Sequence, residues 1–137
     1  MRFLNERVFV HILDKVEVVS VAIGFEKVRY KSVPVSNIDK DIVNFLDYCN
    51  NSDENIYIKC AIAHLWFVSI YSYDEGNGRI ARAITAYILL KHASGSEFKL
   101  YFVSTTINNN RKAYYTTLDK TTNLFYNRTF DITSWLI

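Results

Sequence analysis

Glycine and proline are scarce, at 4 and 1 among 137 residues. Flexible linkers, collagen-like repeats and a sandwich of many short hairpins all require more of both. The chain is also too short for two separate hydrophobic cores, so one mainly helical domain over 1–137 is expected. There are only two cysteines, Cys49 and Cys60, with neither metal-ligand nor C-x-x-C spacing. They read as reduced thiols of a cytoplasmic protein. The longest apolar run, Cys60 to Tyr71, reaches about half the ~20 residues that span a bilayer and is interrupted by His64. No membrane partner is expected. The opening Met1-Arg2-Phe3 leads into no apolar core of a secretory signal, which argues against export. Sixteen basic and fourteen acidic residues leave a net charge of +2 with no block of either sign. That balance lacks the broad basic footprint of a nucleic-acid binder, so any anion site must be local.

Several segments carry a clear pattern. Residues 16–33 are rich in valine, isoleucine and aromatics around Gly24 and end at Pro34, which predicts a β-hairpin over about 17–31, with strands near 17–22 and 26–31. From Ser36 to Asn50, Ile38, Ile42, Val43, Phe45, Leu46 and Tyr48 recur at helical spacing, with Ser36 or Asn37 as the cap. After the polar break Asn50–Asp53, residues from Ile56 to about Ser72 are apolar on every side, the pattern of a helix buried at the centre of its fold. Arg79 to His92 is again helical, with Gly95 as its stop. Ser104 is a candidate cap for a helix running through Tyr114, Tyr115 and Leu118, and Asp131 for a last one.

Half of the scarce glycines fall at Gly76 and Gly78, on either side of Asn77. Between two helices, such a pair lets successive amide N–H groups face one concavity, and the following helix adds its unbonded N–H groups and positive dipole end. Arg79 and Arg82, three residues apart, share a face from which both guanidiniums can fork onto phosphate oxygens. Asp74 and Glu75 repel a bare phosphate and fit only if a Mg²⁺ lies between carboxylate and phosphates. Three readings meet here. One is a plain turn with a solvated basic face. A second is the GxGxxA dinucleotide turn, Gly76 to Ala81 with Glu97 about twenty residues on, although that turn requires a βαβ unit.

The third is a family resemblance. Glu75, Gly76, Asn77, Gly78, Arg79 and Arg82 match the Fic (Fido) motif HxFx(D/E)GNGRxxR. Val18 to Ser20 and Ile23 to Val28 resemble that family's target-aligning flap, Ala61 to Ile70 its helix before the motif, and Tyr114-Tyr115 with Leu118 its YYxxL helix. The resemblance implies a mainly α Fic fold, a helical bundle around a buried central helix with a β-hairpin flap. It implies transfer of AMP from ATP to a hydroxyl of a target protein. Glu75 would hold Mg²⁺; Gly76, Asn77 and Gly78 would cradle the phosphates; Arg79 and Arg82 would bind the phosphate chain. The flap, with Val19, Ser20 and Val21 on one strand and Lys27 and Val28 on the other, would pair with an extended segment of an unidentified target protein.

The chain departs from the motif at its first position, where the family has its catalytic histidine and this chain has Tyr71. Histidine, with a pKa near 6.5, accepts a proton at pH 7. A tyrosine, near 10, is deprotonated in only about one molecule in a thousand. The expectation is AMP transfer that is impaired or absent, or else a non-catalytic ATP-binding or protein-interaction module; Tyr71 as acceptor of its own AMP is a further reading. His64 lies seven residues earlier, about 10 Å along a helix, and reads as a hydrogen-bonded core residue. The family's inhibitory pattern (S/T)xxxE(G/N) is absent. Both ends read as short relative to the family, which predicts exposed apolar surface at Trp66, Phe67 or Trp135 and, with it, either poor solubility or a homodimer.

Overall fold

The computed structural model describes residues 7–12, 15–22, 25–31, 34–70, 76–92, 101–126 and 132–136. Strands β1 (Arg7–Ile12), β2 (Lys15–Ala22) and β3 (Phe25–Lys31) form an antiparallel sheet in the order β1-β2-β3. Two strands were expected, so β1 is an addition. It pairs with β2 from Arg7 opposite Ser20 to Ile12 opposite Lys15. The β2–β3 register sets Val19 opposite Val28 and Ser20 opposite Lys27, with an irregularity between Val18 and Val19. The rest is helical: α1 (Ile38–Asn51), α2 (Ile56–Ile70), α3 (Asn77–His92), α4 (Tyr101–Asn109), α5 (Arg111–Tyr126) and the short α6 (Thr133–Leu136).

Local chemistry sets the helix ends. Asn37 occupies the N-cap of α1 without a side-chain cap bond; its own N–H bonds the Pro34 carbonyl at 2.8 Å. Asp39 and Asp41 place negative charge against the positive end of that helix. At the start of α2 the Asn55 side chain accepts from the Tyr57 N–H at 3.0 Å, an N-cap bond.

The core forms around α2, which is apolar on all sides and is buried or half-buried from Lys59 to Ile70. Its Cys60, Ala63, Phe67, Val68 and Ile70 join Phe45 of α1 and Ala81 and Ile88 of α3 in one buried cluster. Ala63 and Ala81 are fully buried. Phe45 meets Trp66 edge-on at 5.9 Å between ring centroids. The helix thus lies between α1 and α3, with α6 closing another side through a 2.8 Å bond from Trp135 Nε1 to the Ala61 carbonyl.

Four expectations are corrected. The helix expected from Ser104 through Leu118 is two helices, broken at Asn110, the last of three consecutive asparagines, which favour local side-chain bonds over helix continuation. Ser104 lies inside α4 rather than capping it. Helix α3 begins at Asn77, two residues earlier than expected, because Gly76 supplies the turn into it. The expected exposure of Trp66, Phe67 and Trp135 is not found: Phe67 is buried, and both tryptophans are half-buried in aromatic contacts. Among the described residues the exposed large apolar side chains are instead Val43 and Leu46 on α1, Tyr57 and Ile58 on α2, Tyr87 and Leu90 on α3 and Leu136 on α6. Gly24, Gly95 and Asp131 lie outside the described residues.

Candidate phosphate cradle

The end of α2 and the start of α3 determine where the glycine pair falls. Ile70, 1 % exposed, anchors the end of α2. The chain re-emerges at Gly76 with φ of +89°, a conformation that L side chains rarely adopt. Its carbonyl accepts the Ile80 N–H at 2.9 Å, which makes Gly76 the residue that turns the backbone into α3. The N–H groups of a helix's first turn have no acceptor within the helix and point ahead of it. Asn77 follows with its side chain buried, Gly78 is half-buried and Arg79 is exposed.

Both arginines fold back over this turn, as helix side chains lean toward the N-terminus. A Cβ on Gly76 would lie 3.7 Å from Arg79 Nη2, and one on Gly78 would lie 3.5 Å from Arg82 Nη1. The glycines therefore leave open the space beside two guanidiniums, at the positive end of a sixteen-residue helix. Five of the expected site residues, Gly76, Asn77, Gly78, Arg79 and Arg82, are thus brought together. Tyr71 and Glu75 lie outside the described residues. Alanine at Gly76 is expected to destabilise the fold by about 1–2 kcal/mol, because φ stays positive. At Gly78, inside the helix, alanine should be neutral or stabilising, and urea midpoints of the two variants give that order.

A model of the Fic/DOC family matches residues 2–89. The chain belongs to the Fic/DOC family. No curated protein matches it closely enough to count. The family match covers all three strands, α1, α2 and most of α3, and so includes the cradle. In this Fic/DOC chain β2 is hydrogen-bonded on both sides, by β1 and by β3. Val19 and Ser20 lie opposite residues of both β1 and β3, whereas among the described residues Val21 lies opposite Glu26 of β3 only. Lys27 and Val28 stand on β3, which has one strand partner among the described residues.

His64 is, as expected, a core residue and 4 % exposed. Thr85 Oγ1 donates to the Ala81 carbonyl at 2.8 Å, so toward His64 Nδ1, 3.3 Å away, it acts as acceptor. Nε2 then carries the lone pair and accepts the Tyr114 hydroxyl at 3.0 Å. Burial, reinforced by the charge of Arg82, pulls the imidazole pKa down to about 4. His64 is a neutral tie between α2, α3 and α5. Burial likewise pushes the Cys60 thiol up to about 11 and raises Cys49, and both are free thiols. No helix among the described residues is long and apolar enough to cross a membrane, and no cluster of three metal-ligating side chains occurs among them.

Arg111 was missed by sequence reasoning. It opens α5 and borders a cavity of about 450 Å³ shared with Arg82. Nothing in the sequence links the two arginines, because only the packing of α5 beside α3 and α4 brings them to one space.

Proposed function

We propose that this chain is a Fic-type adenylyltransferase by descent, which binds ATP with Mg²⁺ at the N-terminus of α3 and transfers AMP poorly or not at all because Tyr71 stands at the base position. The observation that carries the reading is the cradle, with Gly76 at positive φ and the Arg79 and Arg82 guanidiniums folded over the glycine pair. The space that a Cβ would fill, and the cations beside it, suit a phosphate chain.

In such a transfer the oxygen of a target hydroxyl forms a bond to the α-phosphorus, the bond from that phosphorus to the bridging oxygen breaks, and pyrophosphate leaves with the electron pair. The hydroxyl proton must go to a base. Arg79 and Arg82 would orient the phosphates and offset their charge, which is the main contribution a protein makes to this chemistry. Mg²⁺, when bound at Glu75, would add further charge neutralisation. Strand β3, which carries Lys27 and Val28 and ends the sheet among the described residues, is the part that would align a target segment through main-chain bonds.

A non-catalytic ATP-binding module is the second reading, favoured by the engagement of both ring nitrogens of His64, which leaves it unable to replace a base at position 71. Both readings expect Arg79→Ala to weaken ATP binding by about tenfold to a hundredfold, as for loss of a charge-assisted hydrogen bond. Calorimetric titration of the variant measures this, and unchanged affinity removes the cradle from the account. Labelled AMP transfer by the wild type that disappears in Glu75→Ala selects the enzyme over the binding module.

A further inference from the structure

The cavity behind the cradle has a consistent chemistry. Arg82 comes from α3, Ser104, Thr105 and Asn108 from α4, and Arg111 and Tyr115 from α5. Together they bring two guanidiniums, the hydroxyls of Ser104 and Thr105 and an amide to one space, and none of the described residues lining the cavity carries a carboxylate. Among these described residues an anion meets donors and no charge of its own sign.

Arg82 belongs to both spaces. Its Nη1 lies over Gly78 in the cradle, and its side chain borders the cavity. A ligand held at the first turn of α3 therefore reaches the cavity by passing along this one side chain. On the far side Arg111 stands in the first turn of α5, where no acidic residue opposes it and the positive end of a second sixteen-residue helix adds to its charge. Its guanidinium carbon is 5.8 Å from the centre of the Tyr115 ring. This contact holds the planar fork in place before a ligand arrives, a role that lysine fills poorly.

We infer that this cavity seats the phosphates remote from the cradle, and that Arg111 is the positioning residue by which the site distinguishes a nucleoside triphosphate from a monophosphate. The inference rests on the ATP reading above and extends it to a residue of α5, beyond the segment matched by the family. The selected ligand class is a polyphosphate ester.

Titration of the full chain, as wild type, Arg111→Ala and Arg111→Lys, with ATP, AMP and inorganic tripolyphosphate tests it. In Arg111→Ala, affinity for ATP and for tripolyphosphate should fall about tenfold to a hundredfold, while affinity for AMP stays within about twofold and so reports an intact fold. Arg111→Lys, which keeps the charge and loses the fork, should recover part of the ATP affinity. Equal losses for ATP and AMP, or no loss for ATP, overturn the inference and leave the nucleotide cradle standing. Arg111-dependent binding of tripolyphosphate by a wild type that does not bind ATP has the opposite meaning: the anion cavity stands and the nucleotide reading falls. A wild type that binds neither overturns both.

Discussion

Replacing Tyr71 by histidine is expected to raise labelled AMP transfer by about 10²–10⁴-fold over the wild type, the usual worth of a positioned general base. The size follows from proton affinity. At pH 7 a tyrosine of ordinary pKa is in its basic form in about one molecule in a thousand, whereas most histidines of ordinary pKa are ready to accept a proton. His64 does not compensate: it is neutral, but its one lone pair is committed to the Tyr114 hydroxyl. The acceptor for the assay is the chain itself or an extended peptide able to pair with β3. A gain that vanishes when Arg79→Ala is added shows that the new activity uses the cradle. A Tyr71→His variant that binds ATP and still transfers nothing would mean that more than the base has been lost.

Acidification below neutral pH should destabilise the protein through His64. Its pKa is about 4 in the folded state, against an ordinary value of 6.5, so between these values the unfolded chain binds the extra proton. Stability is complete above about pH 6.5 and falls as pH drops toward 4, by about 3 kcal/mol in all, of which about 2 kcal/mol is lost between pH 7 and pH 5. That upper range lies above most carboxylate titrations, which separates this contribution from general acid denaturation. Urea midpoints at pH 7 and pH 5 measure it. In His64→Gln, which has no proton to gain, the slope over that range should nearly disappear, although the variant starts less stable. An equal slope in both proteins would mean that His64 is not the sensor.

Much of this structure was legible in the sequence, and the limits have physical causes. Helix α2 was readable because a run that is apolar on every side has few alternatives to burial, and α3 because its apolar residues recur at helical spacing after the glycine pair. The glycine pair itself was informative because so few glycines occur elsewhere. Strand β1 was missed. Its link to β2 is Leu13-Asp14, with no glycine, proline or asparagine to mark a turn, whereas Gly24 marked the next one. The break at Asn110 was passed over because Ile107, Tyr114 and Leu118 keep a helical rhythm across it. Residue identity carried the cradle, since glycine conformation and arginine spacing are local. The Arg82–Arg111 cavity is a product of packing among three helices and leaves no local trace. The flanking of Val19 and Ser20 by β1 has the same origin, because strand order is decided by the third strand.

Titration of the wild-type chain with ATP, with and without Mg²⁺, bears on all of this before any catalysis is examined. The cradle predicts saturable binding at a single site that strengthens when Mg²⁺ is present and weakens in Arg79→Ala. Binding that is absent in both conditions, or that Arg79→Ala leaves unchanged, would contradict it.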